Sequence, residues 1–184
     1  MNDTRQRLFF ALWPPPELAR QLHRVAAQQF DARHARRLRV EQIHLTLFYL
    51  GPSDADQRRC AEAAAARVEA PAFTLALSHL GVWPRPRVGW IAPSVSPPAL
   101  NVLVTCLHQG LIACGYRFEE RPWQAHLTLL RKLRQPPLND SLAEPLVWPV
   151  SEFALVESLT LPEGAEYHVL QRWPLTGEHN QERH

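Results

Sequence analysis

The tetrapeptide His-Leu-Thr-Leu occurs twice, at residues 44–47 and 126–129, once in each half of the 184-residue chain. Both copies alternate with period two, which marks a strand with one buried face. In an extended strand the residues at i and i+2 share a face. His44 and Thr46 therefore point one way, as do His126 and Thr128, while the leucines point the other way into a core. Two such strands packed together bring two imidazoles and two hydroxyls to one cleft. That set can hold a phosphate and move protons on both sides of it.

The rest of the chain predicts an α+β fold. Residues 7–13, RLFFALW, read as a strand with Leu8, Phe10 and Leu12 on one face and Phe9 and Ala11 on the other. Pro14, Pro15 and Pro16 end it and open a helix, since proline suits the first helical turn. Leu18, Leu22, Val25 and Ala26 recur at helical spacing to about residue 30. Strand 43–50 carries the first HLTL and ends at Gly51-Pro52. An alanine-rich helix, capped by Ser53 or Asp54, runs to about residue 69 and lies on the outside. Strands follow at 73–79 and 88–92, then a helix from Pro97-Pro98 to Gly115. The second HLTL strand spans 125–130. A proline-rich loop, 136–149, leads to a hairpin of 151–160 and 166–173 about Pro162-Glu163-Gly164. Strands and helices mix without strict alternation, which predicts mostly antiparallel pairing. The domain spans residues 1–178, with 179–184 a polar tail.

Composition excludes more than it selects. Hydrophobic residues make up 46% and charged residues 21%, as in ordinary globular proteins, and no apolar run is long enough to cross a membrane. Cys60, Cys106 and Cys114 are odd in number and lack CxxC spacing, so they read as free buried thiols of a reducing compartment. Net charge is only +2, yet Arg33, His34, Arg36, Arg37 and Arg39 form a basic run just before the first HLTL. Beside a phosphate site, such a run suits contacts to a nucleic-acid backbone.

A neutral histidine accepts a proton and a protonated one donates, so two across a phosphorus centre supply a general base and a general acid. Threonine hydroxyls can hold the non-bridging oxygens. No HxH, HExxH or HxxxH stands near either copy, and there is no GxSxG elbow or glycine-rich phosphate loop. Metal and serine-nucleophile chemistries therefore lack support.

With these residues in place, the chain resembles the two-histidine phosphoesterases, marked by a duplicated H-x-T-x motif. More narrowly, it is similar to the RNA 2′,3′-cyclic phosphodiesterases, also called 2′-5′ RNA ligases. RLFFALWPP, HLTLFYLG, RVGWIAP, ERPWQAHLTLLR and YHVLQRWPL carry the resemblance along nearly the whole length. It implies a bilobal α+β fold of two pseudo-symmetric lobes, with the active-site cleft between two antiparallel sheets. It implies cofactor-free opening of RNA 2′,3′-cyclic phosphate ends to 2′-phosphate, with 2′-5′ ligation as the reverse. His44 would donate to the leaving 3′-oxygen, His126 would activate water, and Thr46 and Thr128 would hold phosphate oxygens. Arg131 would contact substrate, turned by a strand end or a bulge. Phe9 is the candidate base-stacking ring, and Arg39 a candidate substrate contact. The expected partners are RNA ends, tRNA halves among them, for a cytoplasmic monomer with no membrane partner. Phe48 stands where the family often has lysine, and Ala125 where it often has proline. A phosphodiesterase for another small cyclic or 2′-5′-linked nucleotide, and an RNA-binding module without turnover, are the alternatives.

Overall fold

The computed structural model describes residues 5–162 and 164–177. The polar tail at 179–184 and Glu163 of the expected hairpin turn lie outside the described residues. Among the described residues, three α-helices accompany strands β1 (Gln6–Leu12), β2 (Arg36–Arg37), β3 (Leu45–Ser53), β4 (Phe73–Trp83) and β5 (Val88–Pro93). β6 (Leu127–Arg131), β7 (Ser141–Val150), β8 (Glu152–Leu161) and β9 (Gly164–Pro174) complete the strands. The helices are α1 (Pro16–Gln29), α2 (Ala55–Ala66) and α3 (Pro98–Ala113). The strands form one sheet in the order β7-β4-β5-β6-β3-β1-β8-β9, with β2 beside β6, and all these strands pair antiparallel.

The midpoint of that order is the contact of the two HLTL strands, a single register pair, Leu45↔Leu127. Four strands of that path lie on each side of it, and β2 adds a short fifth beside β6. The local chain path also repeats. β1 leads through prolines into α1 and then β3, and β5 leads through prolines into α3 and then β6. Leu12↔Leu45 in one half matches Ile91↔Leu127 in the other.

Period two decides which face each strand buries. Leu8, Phe10 and Leu12 enter the main core with Leu18 and Leu22 of α1 and Leu100, Leu103, Leu107 and Leu111 of α3. Leu45, Leu47, Leu127 and Leu129 join them. Phe9 and Ala11 face the other way, into a small cluster with Ala154 and Val156. The helices thus cover the leucine face, and the opposite face carries the histidines. Asp54 caps α2 through a reciprocal pair with Gln57, its carboxylate accepting from the Gln57 amide at 2.8 Å. Gly115 follows α3 at φ +85°, where a left-handed residue ends a helix.

Four expectations change. The two antiparallel sheets expected are one continuous sheet, because β3 and β6 pair at Leu45↔Leu127 and join the halves edge to edge. The segment 136–149 is not all loop, because β7 pairs with β4 from Phe73↔Val150 to His79↔Ser141. β7 is an edge strand, where proline costs no ladder hydrogen bond on its outward side, and Pro145 falls in the register break between Leu146 and Ser141, so neither Pro145 nor Pro149 prevents it. β3 runs through Gly51-Pro52 to Ser53, since Gly51 and Pro52 still pair with Leu8 and Arg7 of β1. The cysteines are not all free: Cys60 of α2 and Cys114 at the end of α3 form a disulfide, while Cys106 stays reduced. The helices meet closely there, since a Cβ on Gly110 would lie 2.9 Å from that of Ala64. The bond removes free thiols as an argument for a reducing compartment. It closes a loop of 54 residues, so its reduction, or the pair Cys60→Ser and Cys114→Ser, should cost ~2–4 kcal/mol. Urea unfolding with and without reductant measures this; coincident midpoints would show that the cross-link contributes nothing.

Candidate active site

His44 and His126 each sit one residue ahead of their strand, flanking the Leu45↔Leu127 pair. In an antiparallel crossing, the residues on either side of a pair lie opposite one another on a common face. That geometry sets His44 across from Thr128 and Thr46 across from His126. Both imidazoles are held alike. Nδ1–H of His44 donates to the Gln42 carbonyl oxygen at 2.8 Å, and Nδ1–H of His126 donates to that of Gln124 at 2.9 Å. A carbonyl only accepts, so Nδ1 carries the proton and Nε2 is left for chemistry. Among the described residues no protein group takes either Nε2, and neither threonine hydroxyl has a hydrogen-bond partner.

The two rings sit in different walls. Trp13 stacks on His44 with centroids 5.1 Å apart and planes within 2°, Phe9 lies at 4.9 Å, and Tyr167 meets it edge-on at 5.1 Å. Burial pushes the His44 imidazole down to about 4; the Gln42 carbonyl opposes this, and the charges of Arg131 and His126 add to it. The His126 pKa is also lowered, by burial, against the Gln124 carbonyl. Its ring meets Trp83 edge-on at 4.4 Å. Removing the Trp13 wall lets water reach His44, so Trp13→Ala should move its NMR titration midpoint upward from about 4 toward the usual 6.5. An unmoved midpoint would show that burial by this ring is not the cause. The same depression links to stability. The unfolded chain takes a proton near pH 6.5 that the fold refuses until about 4, so stability falls as pH drops through that window.

Arg131 is delivered by a β-bulge. On β6 the register steps from Trp90↔Thr128 to Gly89↔Leu130, leaving Leu129 without a partner on β5. Its carbonyl accepts from the Leu38 amide at 2.9 Å instead. The extra residue reverses the alternation: Leu129 and Leu130 are both buried, and exposed Arg131 returns to the histidine face. β3 repeats the device, stepping from Ala11↔Thr46 to Phe10↔Phe48 and skipping Leu47, so that Tyr49 emerges 54% exposed. Phe48, by contrast, points to the helix side, against His108 and Phe118. The departure from the family pattern at that position therefore lies outside the cleft.

Phe9 is not where a stacking ring must be. It is 3% exposed, packed beneath His44 and against Tyr167, so neither face is open to a base. The alternation placed it on the correct side of β1, but β8, β9 and His44 cover it. Arg39 is exposed at the start of a 3₁₀ turn, Val40–Gln42, where its amide donates to the Gln42 side chain at 3.0 Å. Its own side chain makes no ion pair among the described residues. Trp13, Tyr167 and Trp83 were not expected at the site. Gln42 and Gln124 had a legible signal, since each stands two residues before its histidine. A cavity of about 700 Å³ adjoins two rings of this wall, lined by Trp13, Tyr167, Val40 and Arg172 among others. Among the described residues, no three His, Cys, Asp or Glu side chains are grouped to hold a metal ion.

Residues 14–161 match the family model of the 2′-5′ RNA ligase superfamily. An RNA 2′,3′-cyclic phosphodiesterase of Escherichia coli K12 is 33% identical over 177 residues, covering 93% of this chain and 97% of that protein. Another from Thermus thermophilus is 32% identical over 189 residues, covering 96% and 94%. Among solved structures, E. coli LigT complexed with 3′-AMP matches with a TM-score of 0.84 at 32% identity, covering 94% of this chain and 99% of that one.

Proposed function

The chain belongs to the 2′-5′ RNA ligase superfamily, and we propose that it opens 2′,3′-cyclic phosphate ends of RNA to 2′-phosphate by paired histidine catalysis. The observation that carries this is the matched pair of Nε2 atoms about Leu45↔Leu127, unengaged among the described residues, with a threonine hydroxyl likewise unengaged beside each. His126 Nε2 takes a proton from water as its oxygen bonds to phosphorus. His44 Nε2 gives a proton to O3′ as the P–O3′ bond breaks. Thr46 and Thr128 donate to the non-bridging oxygens, and Arg131 offsets their charge. An RNA 5′-hydroxyl in place of water would follow the same steps to a 2′-5′ linkage.

The free enzyme holds His44 neutral at pH 7, with Arg131 among the causes. A bound phosphodiester brings the negative charge that Arg131 lacks, so it raises the His44 pKa and loads the acid when substrate arrives. The test is turnover of an oligonucleotide ending in 2′,3′-cyclic phosphate, in EDTA. The kcat/KM profile should be a bell centred below pH 6.5, because both histidines titrate below that value in the free enzyme. The bell in kcat should sit at higher pH. No turnover, or a single sigmoid through pH 4–9, would reject the reading.

A further inference from the structure

Three separate stretches of sequence bring cations to one rung beside the site. β2 is two arginines long and pairs with β6, setting Arg36 opposite Arg131 and Arg37 opposite Leu130. On the other side of β6, Val88 pairs with Arg131, which places Arg87 next to the same rung. The Leu133 amide donates to the Arg87 carbonyl at 3.0 Å, fastening the segment of Lys132 and Arg134 to it. Arg87 and Lys132 adopt φ of 64° and 62°, a left-handed backbone uncommon for long side chains, at matching ends of β5 and β6.

Elsewhere arginines mostly meet carboxylates: Arg20 and Arg24 with Glu17, Arg58 with Glu62, Arg59 with Asp56, Arg121 with Glu119 and Arg172 with Glu152. Arg36, Arg37, Arg87, Arg131, Lys132 and Arg134 have no ion pair among the described residues, and all six are exposed. Arg7, Arg39, Arg67, Arg85 and Arg117 also have no ion pair among the described residues, but none belongs to this rung. Arg131 stands four residues along β6 from Leu127, roughly 13 Å at ~3.3 Å per residue.

We propose that this rung is a binding site for the single-stranded RNA that precedes the cyclic phosphate, gripping its phosphates in register with the cleft. It rests on the activity proposed above. Arg131 is shared: it serves the reacting phosphate, Arg36 and Arg87 extend its charge across the strands on either side, and Lys132 extends it past the end of β6. Adjacent strands ~4.8 Å apart fix the spacing of the cations, so the site selects a flexible polyanion over a lone cyclic mononucleotide.

The test compares the wild type with Arg36→Gln/Arg87→Gln/Lys132→Gln. Two substrates are turned over: an RNA octamer ending in 2′,3′-cyclic phosphate, and a nucleoside 2′,3′-cyclic phosphate. The ratio of their kcat/KM values should fall about tenfold in the variant. Binding of a labelled octamer ending in 3′-phosphate, read by anisotropy across salt, should lose about 2 from its log–log salt slope, each single variant losing about 0.7. An unchanged ratio with an unchanged slope would overturn the proposal. If wild type turns over neither substrate but binds the octamer with the expected slope, the catalytic reading fails and the RNA site stands.

Discussion

Alanine in place of His44 or His126 lowers kcat by ~10²–10⁴, each removing one proton-transfer group from the transition state. The two losses differ in their pH signature. Without His126 the acidic limb of the kcat bell disappears, since the base that must be neutral is gone. Without His44 the alkaline limb disappears, since no group must remain protonated. His44 also fills the space between Phe9, Trp13 and Tyr167, so its truncation leaves a cavity beneath the cleft. His44→Asn is the better probe, because its amide can still donate to the Gln42 carbonyl. Near-wild-type turnover in a folded variant of either histidine would remove the mechanism altogether.

Valine in place of Thr46 or Thr128 keeps the branched shape and deletes the donor. Each change should reduce kcat by about 10²–10³, the loss of roughly 2.7–4 kcal/mol seen for oxyanion-type donors. Neither hydroxyl bonds to the protein among the described residues, so its removal orphans no other group and the fold should be indifferent. Serine at the same position restores the donor and most of the rate. The crossing about Leu45↔Leu127 adds a finer expectation. Thr128 lies beside His44, so Thr128→Val should shift the alkaline limb more than Thr46→Val. A loss under threefold in both variants would show that the hydroxyls do not meet the phosphate.

The histidine face was legible because the opposite face of each strand is purely apolar. Leu45, Leu47, Leu127 and Leu129 could only point inward, and the polar partners had to point out. The same period-two logic could not deliver Arg131, because a bulge is one residue of extra backbone and leaves no residue-type signature when the inserted residue is leucine. It went astray at Phe9 for another reason: alternation assigns a face but not what covers it, and β8 and β9 arrive from far along the chain. β7 was hidden by Pro145 and Pro149, whose missing donors matter only in a central strand. The Cys60–Cys114 bond was hidden by parity, since an odd count says nothing about which two cysteines the packing of α2 and α3 brings together.

The one-pair junction at Leu45↔Leu127 has the geometry of an isologous dimer interface written inside a single polypeptide. Two separate copies meeting there would present chemically identical imidazoles, each in the same surroundings and with the same affinity for a proton. Acid and base would then be indistinguishable. Covalent continuity breaks that degeneracy. One imidazole has acquired Trp13, Phe9 and Tyr167, the other Trp83, and only one of the two equivalent bulges carries an arginine. Each half can drift alone while the shared rung keeps the pair opposed, so a symmetric frame can run a reaction that has a direction.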